Sequence, residues 1–120
     1  MKQTNSVTVY GIPNCDSVKK ARTWLAEHQI NYVFHDFKKQ GVPEDALDFW
    51  MTQVGWQVLV NTKGTTWRKL DESVRLLVTD NHHARELMLA HPSVIKRPVI
   101  VQGKDVWVGV NPAQWSNVLS

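Results

Sequence analysis

The sequence predicts an α/β fold, with a mixed β-sheet flanked by helices and a helical segment inserted between its two halves. Two observations carry this. A strand, a helix and a second strand follow one another near the N-terminus, and a hairpin and a last helix close the chain. Between these halves, apolar residues recur at helical rather than strand spacing.

Val7-Thr8-Val9-Tyr10 alternates apolar and polar residues and reads as the first strand. Gly11-Ile12-Pro13-Asn14 is a turn, and Asn14 is a suitable helix N-cap. Val18, Ala21 and Leu25 then share one face of a helix expected over Cys15 to His28. Asn31 to Phe37 is the second strand, which makes the first unit a parallel βαβ with a right-handed crossover. Lys38 to Val42 reads as a loop. Pro43 suits a helix start, Ala46, Leu47, Trp50 and Val54 continue one face, and Gly55 suits its end.

Trp56 to Leu70 is ambiguous between a short helix and a turn around Lys63-Gly64-Thr65. Helices are expected at Asp71 to Val78 and Asn81 to Ala90. Pro98 opens the run Val99-Ile100-Val101, Gly103-Lys104-Asp105 is a tight turn, and Val106-Trp107-Val108 returns. Asn111 is placed to cap a helix running through Pro112, Trp115, Val118 and Leu119.

A chain of 120 residues fits one domain, expected over 1–120 with the helical insertion at about 41–92. The net charge is +3, and its cations are spread along the chain. Nucleic-acid binding needs a concentrated basic patch, so no nucleic-acid partner is expected, Trp67-Arg68-Lys69 notwithstanding. No apolar run approaches the roughly 20 residues of a membrane span, and the polar N-terminus lacks a signal-peptide core. With one unpaired cysteine, these features favour a cytoplasmic protein that does not meet a membrane. The five histidines show no metal-ligand spacing, so no metal is expected.

The one cysteine is the informative residue. A free cysteine is often a small buried hydrophobe, but Cys15 follows a strand and a turn and opens a helix. A helix N-terminus carries unpaired N–H groups and about half a positive charge, which stabilises a thiolate. Lys19, one turn on, is expected to add to this. With no second cysteine, oxidised Cys15 needs an external thiol to complete any turnover. Glutathione is the abundant candidate co-substrate, and Lys19, Lys63 and Arg97 are the cations expected to meet its carboxylates. Arg97-Pro98 at the start of a strand marks a special backbone geometry.

Taken in order, Tyr10-Gly11-Ile12-Pro13-Asn14-Cys15, Lys19-Lys20-Ala21, the stretch from Asn61 through Lys63 and Trp67 to Lys69, and Lys96-Arg97-Pro98-Val99 resemble the arsenate reductase and Spx-like family, in its YffB-like branch. The resemblance spans about Val7 to Leu119. It implies a thioredoxin-like fold with a helical insertion, Cys15 as the redox thiol and Pro98 as a cis-proline facing it. The substrate or glutathione site is expected to include Asn14, Lys19, Asn61, Lys63, Arg97 and Pro98, and the resemblance also implies glutathione and glutaredoxin as partners and a monomer.

Arsenate reductases of the family hold the oxyanion with three arginines and activate the cysteine with a histidine four residues before it. Here Gly11 takes the histidine's place, Lys19 stands where an arginine usually follows the cysteine, and Asn61 replaces the first arginine. Arg97 is retained, and no arginine lies near Gly109-Val110. Each charge-assisted bond is worth about 1.5–3 kcal/mol, so two losses weaken anion binding by roughly two to four decades. The expectation is a glutathione-dependent thiol oxidoreductase. The alternatives are a weak arsenate reductase, or a non-enzymatic Spx-like regulator that binds the RNA polymerase α subunit. The CxxC switch of many Spx-like members is absent, because Val18 stands three residues after Cys15.

Overall fold

The computed structural model describes residues Ser6–Val118, so the expected last-helix residue Leu119 lies outside them. The chain folds into two compact units. The first comprises the chain up to Gln40 together with the chain from Arg97 onward, and the second is Gly41–Lys96.

In the first unit four strands, β1 (Val7–Gly11), β2 (Tyr32–Asp36), β3 (Val99–Gln102) and β4 (Asp105–Val108), form one sheet in the order β2-β1-β3-β4. β1 runs parallel to β2 and antiparallel to β3, and β3 and β4 form the expected hairpin. Helix α1 (Asp16–Glu27) makes the parallel crossover. This is the thioredoxin-like arrangement implied by the resemblance.

Val7 and Val9 point to one side of β1 and are 2% and 0% exposed. They pack with Ala21 and Leu25 of α1, Ile100, Trp107 and Trp115 into the unit's core. Burying an aliphatic side chain of this size stabilises by roughly 1.5–3 kcal/mol. Trp115 belongs to the last helix, α8 (Pro112–Val118), which Asn111 caps by accepting from the Gln114 N–H at 3.1 Å. Trp24 meets Trp115 edge-on, with ring centroids 5.3 Å apart.

β2 ends at Asp36 rather than Phe37. The expected loop from Lys38 begins instead with a single helical turn, α2 (Phe37–Gln40), because the Asp36 carboxylate accepts from the Lys38 N–H at 2.8 Å. Side-chain capping of this kind diverts a chain from strand to turn.

The second unit is helical: α3 (Glu44–Val54), α4 (Trp56–Leu59), α5 (Thr65–Lys69), α6 (Glu72–Leu77), α7 (Asn81–Ala90) and a 3-10 turn at Pro92–Val94. Leu47, Trp50, Leu59, Val60, Val78, Ala84, Leu87, Met88, Val94 and Ile95 are its buried apolar side chains among the described residues. Gly55 ends α3 at a φ of 87°, a conformation that glycine adopts without strain. The ambiguous stretch after Trp56 resolves into α4, a turn at Asn61–Gly64, and α5. The unit closes where the Lys96 N–H donates to the Leu59 carbonyl at 2.7 Å, so it extends past the expected boundary near residue 92.

Candidate active site around Cys15

Cys15, not Asn14, is the residue that enters α1. It is the N-cap, with extended backbone at φ −105° and ψ 127°, and its carbonyl accepts the first helical bond from the Lys19 N–H at 2.9 Å. Asn14 lies one residue earlier, exposed in the turn. The N-cap side chain is the one that the N–H groups of the second and third helical residues can reach. At Cys15 those groups are Ser17 and Val18; the side chain makes no full cap hydrogen bond, yet both N–H groups face the sulfur closely enough to favour its anion.

The thiol is half-buried, and burial alone raises its pKa. The N–H of Val18, the Arg97 side chain and the N–H of Ser17 outweigh that burial, and the Arg97 charge adds to them. The net result is a thiol held below its ordinary value of about 8.5. Both helix N–H groups and a guanidinium favour the anion, which is the state that attacks.

Arg97 is set by the backbone that carries it. The Arg97-Pro98 peptide bond is cis, as the resemblance implies. Pro98 is buried, and its carbonyl accepts from the Gly109 N–H at 2.9 Å, which ties this corner to the end of β4.

Lys19 does not join the thiol. It is exposed, and the groups that shift the Cys15 pKa do not include it. An i+4 residue sits over the first turn, and its long side chain follows solvent rather than the helix end. Lys19 instead lines an open cavity of about 380 Å³ with Lys20, Thr23, Trp24, Glu27, Val110 and Pro112. Trp24 in this wall stacks on His28 with centroids 3.9 Å apart.

Asn61 and Lys63 belong to the second unit. The Asn61 side chain accepts from the Lys63 N–H at 3.2 Å, and its carbonyl accepts from the Gly64 N–H at 3.3 Å, which closes the turn before α5. This is the ordinary turn-forming use of asparagine.

Gly11 is buried at the end of β1. A Cβ built on it would lie 2.6 Å from Val18 Cγ2, so a side chain where the resembling arsenate reductases carry their histidine would force Val18 to shift. This contact was invisible in the sequence, because it joins a strand end to a helix start. The Ser17 and Val18 amides were missed too: as backbone groups they leave no residue signature beyond the helix start itself.

Among the described residues no group of three His, Cys, Asp or Glu side chains could hold a metal, and no helix is long and apolar enough to cross a membrane. His83 is used locally, with Nδ1 2.8 Å from the Asp80 carboxylate that caps α7.

The sequence profile of the ArsC family matches residues 10–118. The chain belongs to the ArsC family. It is 44% identical over 109 residues to an uncharacterised protein of Haemophilus influenzae, covering 91% of this chain and 95% of that one. It is 31% identical over 107 residues to the global transcriptional regulator Spx of Bacillus subtilis, covering 88% of this chain and 80% of that one. A solved YffB protein is 46% identical and superposes with a TM-score of 0.91, over 96% of this chain and all of that one. An arsenate reductase-related ArsC protein of Brucella melitensis is 49% identical with a TM-score of 0.75, over 100% of this chain and 99% of that one. ArsC membership thus rests on nearly the whole chain, while the relatives' names divide between reductase and regulator.

Proposed function

We propose that this ArsC-family protein is a single-cysteine thiol oxidoreductase that uses glutathione as co-substrate. The observation that carries the reading is the thiol at the helix cap, favoured as thiolate by the Val18 and Ser17 amides and by Arg97. The chemistry is two successive thiol–disulfide exchanges. The Cys15 thiolate attacks the glutathione sulfur of a mixed disulfide between substrate and glutathione. The substrate thiolate leaves with the electron pair of the broken bond, and Cys15 carries the glutathionyl group. A second glutathione, as its thiolate, attacks that group's sulfur, leaves as oxidised glutathione and returns Cys15 to the thiolate. The proton lost by the second glutathione ends on the substrate thiol.

The chain's single cysteine supports an external reductant, since no resolving thiol exists within it. Arg97 supplies positive charge at the sulfur, and the cavity lined by Lys19, Lys20 and Trp24 begins one helical turn away. Two ammonium groups beside an apolar wall suit the carboxylates and backbone of a short peptide. Glutaredoxin is a second candidate reductant for the glutathionyl intermediate.

The test is Cys15→Ser with a glutathionylated peptide substrate. The expected result is loss of both turnover and the glutathionyl adduct on the intact protein; unchanged turnover would sink the reading. On this reading arsenate is a poor substrate, since only Arg97 stands at one of the three arginine positions, and any residual turnover is expected to be lost in Arg97→Ala.

The match to Spx favours a second reading, a regulator that binds the RNA polymerase α subunit without catalysis. That reading requires direct binding of purified α subunit, unaffected by Cys15→Ser. Failure of the purified proteins to associate removes it.

A further inference from the structure

Gly11 and Val18 lie on different elements, β1 and α1, yet they pack directly against each other. Val18 is 0% exposed and sits in the first turn of α1, directly over the end of β1. A Cβ on residue 11 would stand 2.6 Å from Val18 Cγ2, which is closer than real carbon atoms approach, and 3.7 Å from Val18 Cβ, an ordinary contact. The first turn of α1 therefore rests on the strand with no atom to spare, and one methyl group of Val18 defines the gap. The same residue carries one of the two N–H groups that favour the Cys15 thiolate.

We propose that Gly11 is a positioning residue for Cys15: by carrying no side chain, it lets Val18 seat against β1 and so aims the Val18 and Ser17 N–H groups at the sulfur. The inference deepens the thiol-oxidoreductase reading by naming what sets the nucleophile's geometry. It also says what replaces the family's histidine. With no side chain at position 11, the thiol is made reactive by fixed N–H groups and Arg97 rather than by a side chain at that position.

Adding one methyl group at position 11 has to push Val18 off the strand by several tenths of an ångström or more. Hydrogen bonds weaken steeply with distance and angle, so the amide cradle loosens. Gly11→Ala is therefore expected to raise the Cys15 pKa by about one unit, which is about tenfold less thiolate at neutral pH. The double variant Gly11→Ala with Val18→Ala removes the offending methyl groups and leaves the 3.7 Å approach, so it returns the thiol to the profile of Val18→Ala. Val18→Ala by itself keeps the backbone amide and supplies the reference profile for the double variant.

The experiment is the pH dependence of Cys15 alkylation by iodoacetamide in the four proteins, with folding checked by circular dichroism. A folded Gly11→Ala with the wild-type profile overturns the proposal, as does a Val18→Ala that shifts as far as Gly11→Ala. If Gly11→Ala does not fold, the double variant decides: folding with the Val18→Ala profile supports the proposal, and failure to fold or a shifted profile overturns it. The readout is the ionisation of the thiol itself, so a protein that never turns over glutathione still answers the question.

Discussion

Arg97 in the first unit and Arg85 in the second both serve acidic groups, with different results. Arg97 lies beside a thiol that is mostly protonated at neutral pH when free, and it helps tip that group toward its anion. Arg85 is well paired by geometry. Its Nε donates to Asp48 Oδ1 at 2.7 Å and one of its terminal nitrogens donates to Glu44 Oε1 at 2.9 Å. Yet the side chains of Asp48 and Glu44 are 51% and 67% exposed, so solvent screens both pairs. An arginine matters chemically where it changes a neighbour's protonation state. Where both charges already exist in water, contact adds little.

The largest effect that can test this division comes from Trp50→Ala. Trp50 is 1% exposed in the second unit. Its truncation is expected to cost about 3–5 kcal/mol, read from the urea unfolding midpoint. The groups that set the Cys15 pKa all lie in the first unit, so the folded variant should keep the wild-type alkylation profile. A shifted profile in folded Trp50→Ala would break the separation of the two units' roles.

Arg97→Ala comes next. It is expected to raise the Cys15 pKa by about half a unit to one unit, a roughly threefold to tenfold loss of thiolate at neutral pH. The half-exposed position of the sulfur keeps the effect from being larger. Arg97→Lys should restore part of it through charge but not the guanidinium's fixed donors. An unchanged alkylation profile in Arg97→Ala would leave the amides as the whole cause.

A smaller effect is thermodynamic. The Cys15 pKa is lower in the folded than in the unfolded chain, so the thiolate's stabilisation is fully present above the unfolded value of about 8.5 and is lost as pH falls through the folded value. The Tm difference between wild type and Cys15→Ser should therefore widen in favour of wild type as pH rises from about 6 to about 9. A difference that narrows over this range would contradict the depressed pKa. Smallest of all is Arg85→Ala, for which the Tm at moderate salt should barely move and the thiol profile should not move at all.

The strands and the longer helices were legible because their apolar periods are strong. β1 alternates, α1 repeats Val18, Ala21 and Leu25 on one face, and Asn111 caps α8 as its type suggests. The short elements were not. α5 has five residues and no buried side chain, so no periodicity could announce it. α2 exists because Asp36 and Gln40 satisfy local backbone groups, a matter of side-chain hydrogen bonding rather than hydrophobic pattern.

At the site, Cys15 and Arg97 could be picked out from residue type and neighbours. Asn14 was expected to cap because asparagine usually does, but the turn after Pro13 delivers the next residue to the helix entrance. Lys19 was expected to act through sequence distance, which ignores where a long side chain points. Asn61 and Lys63 have roles in their own turn that residue identity alone did not separate from ligand binding.

The route of the chain through the sheet has a consequence for how this protein is made. β1 pairs with β3, setting Val9 opposite Ile100, and the entire second unit is synthesised between them. A nascent chain that has emerged only as far as α3 owns β1, α1 and the cysteine, but neither the strand that completes the sheet nor the arginine beside the sulfur. The helical unit is contiguous and its contacts are local, which favours early and fast formation, whereas the sheet has to wait for long-range closure. The Arg97 contribution to the reactive thiolate therefore arises only once β3 and the arginine before it have left the ribosome, and a chain terminated before them lacks the guanidinium beside the sulfur.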